Sequence, residues 1–165
     1  MATDFSRLRI GSGMDVHAFA PDRKLILGGV DIPHTQGLLG HSDADVLAHA
    51  IMDALLGAMR GGDIGKLFPD TDPAYKGADS LVLMRRVAEH VRESGYDILD
   101  VDSVIACQAP KLSPHREKMR ENLAAAMGIP VENVGVKATT TERLGFEGRE
   151  EGISATATCL LLKRE

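Results

Sequence analysis

Tryptophan is absent and aromatic residues make up only 4% of the 165-residue chain, so any core must rest on Leu, Ile, Val, Ala and Met. Cysteine is nearly absent too. Cys107 and Cys159 lie in apolar surroundings without CxxC spacing, and they read as small core residues of a reduced, cytoplasmic protein. No apolar run approaches the roughly 18 residues that a membrane helix requires, and the opening MATDFSRLRI has no signal-peptide core. Basic charge is also short: 19 Lys and Arg against 24 Asp and Glu give a net charge of −5, which weighs against a broad electrostatic grip on nucleic acid. Linkers, low-complexity tracts and repeats of solenoid period are missing as well. What remains is a single domain over residues 1–165, with residues 1–7 expected as a loose N-terminal extension. A chain of this length buries roughly two-thirds of its unfolded surface and folds without staples.

Glycine, by contrast, is plentiful at 17 residues, about one in ten against a usual figure near 7%. Close backbone approach is one explanation and tight loops are the other. Leu8 to Gly13 reads as a strand running into MDVH, and Lys24 to Ile32 as a strand or a hairpin about Gly28 and Gly29. From Ala44 to Met59, Val46, Leu47, Ala50, Ile51, Ala54, Leu55 and Ala58 recur at helical spacing. Ser42 or Asp43 is the expected N-cap of that helix, and Gly61-Gly62 its stop. A second amphipathic helix is predicted over Ser80 to Ser94, with Gly95 just beyond it. Ile98 to Cys107, Val134 to Ala138 and Ile153 to Leu162 read as strands. Ser113-Pro114 suits the start of a third helix that ends at Gly128. Strands and helices mix without strict alternation, so the expected fold is α+β, a mixed sheet packed against helices in a sandwich.

Candidate chemistry begins at Asp15-Val16-His17. On an extended strand, residues i and i+2 share a face, so the carboxylate and the imidazole can converge. By itself that triplet is more often a surface turn. On the first predicted helix Asp45, His49 and Asp53 recur every four residues, opposite the apolar stripe. The plain reading is a solvated helix face; the sharper one adds His41 and Asp43 just upstream. A catalytic zinc takes three N/O protein ligands and keeps one open position, which Asp15, His17 and His49 would satisfy. Further along, Thr139, Thr140 and Thr141 with Glu142 and Arg149 could hold phosphate oxygens and a hard cation, although a polar hairpin loop fits the same residues. The acidic stretch from Asp63 to Asp72 reads as a solvent loop anchored by Phe68 or as a hydroxyl-binding lid. Cys107 to Ser113 reads as an ordinary strand-to-helix turn or as a base- or anion-binding one. A Walker pattern is absent, as is a G-x-G-x-x-G turn after the first strand, and no Ser/His/Asp or Cys/His arrangement is indicated.

Taken in order, DVH, GLLGHSDADVLAH, GDIGKLFPDTDPAYKGADS, QAPKL, VKATTTERLGF and GREEGI resemble the 2-C-methyl-D-erythritol 2,4-cyclodiphosphate synthase family, from about Arg9 to Leu162. Each motif is weak alone, and the ordered set is specific. The resemblance implies a homotrimer of α+β subunits with active sites at the subunit interfaces. It implies cyclisation of 4-diphosphocytidyl-2-C-methyl-D-erythritol 2-phosphate with release of CMP, in the methylerythritol phosphate route to isoprenoid precursors. It assigns Zn²⁺ to Asp15, His17 and His49, and Mg²⁺ or Mn²⁺ to Glu142 with the substrate phosphates. His41 and Thr140 match positions that stabilise the transition state. Substrate contacts are implied for Asp15, Val16, His17, His41 and Ser42, for Asp63, Ile64 and Gly65, and for Phe68, Pro69, Asp70, Thr71 and Asp72. Others are implied for Cys107, Gln108, Ala109, Pro110, Lys111, Leu112 and Ser113, which match a cytidine pocket supplied by the neighbouring subunit. Thr139, Thr140, Thr141 and Glu142 follow, then Phe146 and Arg149.

The resemblance also implies that Arg149 faces the trimer's central cavity, where it allows an isoprenoid diphosphate. Ser12 and Met14 depart from the family, which more often has a basic and an aromatic residue there. The length is that expected of the monofunctional form, without a fused cytidylyltransferase. Nucleic acid and membrane are not expected partners. Two other functions fit the spacing alone: a zinc-dependent phosphohydrolase, and a metal- or isoprenoid-binding module without turnover.

Overall fold

The computed structural model of the chain describes residues 4–69 and 71–165. Its first long strand, β1 (Leu8–Ala20), runs on through Asp15 and His17 rather than stopping at Gly13. A hairpin follows, β2 (Leu25–Leu27) and β3 (Val30–Ile32), turning at Gly28 and Gly29. Both have positive φ, 55° and 69°, as a two-residue hairpin turn that matches strand twist requires. The short β4 (Gly37–Leu38) returns to pair with the end of β1.

Helix α1 (Val46–Ala58) begins two residues later than its apolar periodicity suggests. Its N-cap is Asp45, not Ser42 or Asp43: the Asp45 carboxylate accepts the Ala48 N–H at 3.1 Å. The expected acidic loop then contains a four-residue helix, α2 (Ile64–Leu67), and a 3-10 turn at Pro73–Tyr75. Helix α3 (Ser80–Glu93) is capped by Asp79. It leads through Gly95, at φ 86°, into β5 (Tyr96–Ala106). Ser113 and Pro114 do not open the next helix; they lie in a separate 3-10 turn, Ser113–His115, ahead of α4 (Arg116–Met127). Gly128 ends α4 in the left-handed conformation, as its position suggested. β6 (Lys137–Thr139) is shorter than the expected Val134–Ala138, because Val134 makes only an isolated bridge to Val101. The helix α5 (Gly145–Gly148) interrupts the Thr- and Gly-rich loop before β7 (Gly152–Lys163).

The main sheet has the order β4-β1-β7-β5-β6, with every pair antiparallel except β5 and β6. It is a mixed sheet packed against helices in one α+β domain, as expected. α1 lies between the sheet and α3, and its buried residues run almost all the way round it, from Val46 to Ala58. The polar positions Asp45 and His49 are therefore buried rather than solvated. Asp45 is the clearest case. Its carboxylate also accepts the Gly28 N–H at 3.0 Å and the Gly29 N–H at 2.8 Å, so it ties the hairpin turn to the start of α1. Burial pushes its carboxyl up to about 6 against the pull of these hydrogen bonds.

The glycines of β1 decide how near α1 can come. Gly11 and Gly13 alternate onto the helix side of the strand, where a side chain would collide with α1 backbone at Ala54, Ala58 and Ala50. Close approach is thus the role of this pair. The other face of β1 is uncovered: Ile10 is 65% exposed, Met14 61% and Val16 43%. Of the residues expected as a loose extension, Met1, Ala2 and Thr3 lie outside those described. Phe5–Arg7 form a 3-10 turn, and Arg7 Nε donates to the Lys163 carbonyl at 2.8 Å. Among the described residues no helix is long and apolar enough to cross a membrane.

Candidate metal centre

Asp15 and His17 sit two residues apart on β1 and face α1, whose close packing brings His49 against them. Asp15 Oδ2 is 2.9 Å from His17 Nε2 and 3.0 Å from His49 Nδ1, and the two imidazole nitrogens are 3.3 Å apart. Tetrahedral ligands about 2.0–2.1 Å from a zinc ion stand roughly 3.3 Å from one another. One carboxylate oxygen and two imidazole nitrogens that converge to this spacing fit a divalent ion with a fourth position to spare. The ligating faces are set from behind: the Leu39 carbonyl lies 2.6 Å from His17 Nδ1 and accepts its proton, leaving Nε2 as the ligand.

Electrostatics match this geometry. Burial opposes ionisation of Asp15, but hydrogen bonds from His17 and His49 and their charge outweigh it and hold the carboxyl well below its usual range. Burial likewise disfavours the charged His17, yet its bond to Asp15 dominates and raises its pKa. On the next turn of α1, half-buried Asp53 accepts the Ile64 N–H at 2.8 Å and so fixes the start of α2 beside the site.

A cavity of about 380 Å³ opens over the triad, lined also by His41, Ser42, Ile64, Gly65, Phe68, Tyr75 and Leu83. His41 is exposed at its edge, with Nε2 3.4 Å from the Asp72 carbonyl oxygen. Asp63 caps α2 by accepting the Lys66 N–H, and Asp72 caps the Pro73–Tyr75 turn by accepting the Ala74 N–H, so both carboxylates are occupied by local structure. Phe68 packs edge-on against Tyr75, ring centroids 5.2 Å apart. Pro69 and Thr71 are exposed, and Asp70 lies outside the described residues. Val16 alternates onto the opposite face of the sheet, away from its two neighbours.

The remaining expected site residues form a second group. A cavity of about 370 Å³ is lined by Cys107, Gln108, Pro110, Lys111, Leu112 and Ser113 together with Thr139 and Thr140. Cys107 N–H donates to the Thr139 carbonyl at 2.9 Å, and Gln108 Oε1 accepts the Arg143 N–H at 3.2 Å, so the two loops are stitched together. Ala109 accepts from the Cys107 thiol through its carbonyl. Thr140 Oγ1 donates to Glu142 Oε1 at 3.1 Å, and Thr141 Oγ1 to the Leu144 carbonyl at 2.6 Å. Phe146 lies in α5, and Arg149 is paired with Glu151 at 3.0 Å. Within one chain, Glu142 does not join the Asp15, His17 and His49 cluster.

Three kinds of neighbour escaped the sequence. Ser80 Oγ lies 3.0 Å from His49 Nε2, Tyr75 and Leu83 wall the first cavity, and Arg116 lines the second. Ser80 follows His49 by 31 positions, and no local periodicity couples a serine at the head of one helix to a histidine inside another.

The chain belongs to the YgbB family, whose profile matches residues 8–162. Among its relatives is the 2-C-methyl-D-erythritol 2,4-cyclodiphosphate synthase of Finegoldia magna, 60% identical over 158 residues that cover 96% of this chain and 99% of that one. Among solved structures, the bifunctional IspDF from Campylobacter jejuni is similar at a TM-score of 0.92 and 43% identity, over 96% of this chain and 43% of that longer one. IspF of Plasmodium falciparum, in a complex with CDP, is similar at a TM-score of 0.84 and 33% identity, over 98% of this chain and 100% of that one.

Proposed function

We propose that this chain catalyses the reaction for which its relatives are named: closure of 4-diphosphocytidyl-2-C-methyl-D-erythritol 2-phosphate to 2-C-methyl-D-erythritol 2,4-cyclodiphosphate, with release of CMP, in the supply of isoprenoid precursors. It is thus a phosphorus–oxygen lyase. The observation that carries the reading is the convergence of Asp15 Oδ2, His17 Nε2 and His49 Nδ1 beneath a cavity in a chain so similar to those relatives. An oxygen of the substrate's own 2-phosphate attacks the β-phosphorus. The bond from that phosphorus to the bridging oxygen breaks, and CMP leaves with that oxygen. The nucleophile belongs to the substrate, so the protein needs no activated Ser or Cys; its work is to bend the chain and hold the phosphates in line.

Asp15, His17 and His49 would hold Zn²⁺, which supplies Lewis-acid polarisation of a phosphoryl oxygen. His41, at the cavity edge, and Thr140 are placed in our reading beside the phosphates, where donors meet developing charge. The edge-packed Phe68 and Tyr75 give the cavity an apolar wall for the methyl-bearing carbon chain. The second cavity, lined by Cys107 to Ser113 with Thr139 and Thr140, takes the cytidine diphosphate end, and the CDP complex of the Plasmodium falciparum neighbour supports a nucleotide of that class. Glu142, on the turn stitched to that cavity, would hold Mg²⁺ or Mn²⁺ together with the substrate's phosphates, and that ion would supply neutralisation of the diphosphate charge.

A substrate that must touch both cavities favours a homotrimer in which the Cys107–Ser113 and Thr139–Glu142 loops of one subunit meet the metal centre of the next. The uncovered sheet face of Ile10, Met14 and Val16 supports the same assembly, since burying it against two copies removes an exposed apolar patch. Two buried cysteines that form no disulfide suit the cytoplasmic setting we assign. Phosphorus NMR of zinc-loaded protein with Mg²⁺ and the cytidyl substrate tests the whole reading. CMP beside a coupled pair of cyclic diphosphate signals is the expected result. CMP with only linear phosphate products means hydrolysis instead, and an unchanged spectrum means a binding module.

A further inference from the structure

Behind His49, on the side away from Asp15, the structure places a second line of polar groups. Ser80 Oγ is 3.0 Å from His49 Nε2, and Ser80 O–H in turn donates to Asp43 Oδ1. The Asp43 carboxylate is held rigidly for this task. Oδ2 accepts the Ser80 N–H at 3.0 Å, Oδ1 accepts the Asp45 N–H at 3.1 Å, and the Asp43 N–H donates to the Ala78 carbonyl at 3.1 Å. Ser80 is fully buried and His49 nearly so, at 8% exposure, so neither group can exchange its partner for bulk water.

Proton counting gives the line a direction. A carboxylate only accepts, so the Ser80 hydroxyl hydrogen points at Asp43 and its oxygen lone pairs face His49. The hydrogen bond between Ser80 and His49 then needs a hydrogen on Nε2, so Nδ1, which hydrogen-bonds to Asp15 in the metal-free site, is the nitrogen whose lone pair a metal ion would take. A second hydroxyl, Ser42 Oγ, lies 3.2 Å from the same nitrogen; it accepts the Ala44 N–H with one lone pair and can share the Nε2 hydrogen with the other. His17 gets the equivalent support from one backbone carbonyl, whereas His49 gets it from side chains on α3 and on the segment just before α1.

From this geometry we infer that Ser80 and Asp43 are positioning residues of the metal centre: the Asp43–Ser80 pair holds the Nε2 hydrogen of His49 and so presents Nδ1 as the ligand. The inference rests on the reading of Asp15, His17 and His49 as metal ligands. It also makes the start of α3 part of the site, since α3 carries the serine while β1 and α1 carry the ligands. Outer partners of this kind typically contribute 10–100-fold in metal affinity.

The test measures zinc binding without substrate, by competition with a chromophoric chelator, together with ¹⁵N spectra of the histidine rings of the zinc-loaded protein. In the unaltered chain His49 should show zinc on Nδ1 and a retained Nε2–H; zinc on Nε2 overturns the inference without any variant. Ser80→Ala is expected to weaken zinc binding about 10–100-fold and to shift the His49 Nε2 signal. Asp79 remains the cap of α3, so the helix content of the metal-free variant should be kept. Asp43→Asn, which keeps an oxygen but loses the charge, should weaken binding by a smaller factor. Affinities of both variants within about twofold of the unaltered chain would remove the pair from this role, as would a loss confined to Ser80→Ala. If the unaltered chain binds no zinc at all, the metal reading itself fails.

Discussion

Gly13 of β1 and Ala54 of α1 meet backbone to backbone: a Cβ on the glycine would stand 2.7 Å from the Ala54 nitrogen and closer still to the Ala50 carbonyl oxygen. This contact sets the depth at which His49 hangs over Asp15 and His17. Gly13→Ala should therefore push α1 outward, destabilise the fold by about 2–3 kcal/mol and weaken zinc binding at the same time. Gly57, also on α1, is the control. An added Cβ there meets nothing nearer than the Ser12 carbonyl at 3.6 Å, and Gly57→Ala should be neutral or stabilising by about 0.5–1 kcal/mol. Urea midpoints of the two variants separate the cases; equal effects would mean that β1 and α1 are not in contact through Gly13.

His49→Ala removes one of three converging ligands while leaving the apolar surface of α1 in place. Bound zinc, measured per chain by mass spectrometry of the metal, should fall from near one to near zero with little change in circular dichroism. Turnover should fall on the order of a hundredfold or more, since polarising a phosphoryl oxygen is worth several kcal/mol. Full zinc and full activity together would exclude His49 as a ligand.

Glu142→Gln should leave zinc in place and raise the Mg²⁺ concentration needed for half-maximal rate. Glu142 stands apart from the Asp15 cluster within one chain, so light scattering on the purified protein bears on the same question. A mass about three times 17.7 kDa is expected, and a monomer would leave the Glu142 turn with no metal centre to serve.

The metal-free protein should have a stability maximum in pH that metal binding reshapes. For Asp15, burial opposes the charge but the histidine hydrogen bonds prevail, so its folded pKa is lowered from 3.8. Its contribution is present above that unfolded value and is lost as pH falls through the folded one. For His17, burial again opposes but Asp15 prevails, and the folded pKa is raised from 6.5. That contribution is complete below 6.5 and is lost as pH rises through the raised value. Asp15→Asn should flatten both limbs in chemical denaturation from acid to alkaline pH.

Both thiols should resist modification in the folded state. Burial pushes Cys107 and Cys159 up to about 11, so the reactive thiolate is scarce at neutral pH. A chromogenic disulfide reagent is expected to find about two thiols per chain in denaturant and almost none without it. Rapid labelling of the native protein would show that the Cys107 loop opens readily.

Much of this was legible along the chain itself. The stripe of Val46, Leu47, Ala50 and Ile51 marks a helix because it repeats every 3.6 residues, and Gly28-Gly29 marks a hairpin because its backbone needs positive φ. Asp15 and His17 share a face because a strand alternates every second residue. These are local consequences of backbone geometry, and sequence determines them within a few residues. Sequence alone places the cap of α1 two or three residues early because Ser42, Asp43 and Asp45 are all good caps. Only burial against the hairpin, where Gly28 and Gly29 offer their N–H groups, selects Asp45. The same burial turned an expected solvated face of α1 into the inner wall of a site. What tertiary structure alone decided is the meeting of groups far apart in sequence: His49 with Asp15 through two glycines that admit a helix, and Ser80 with His49 through the start of another. Periodicity carries no information about such pairs, since they depend on how closely whole elements can pack.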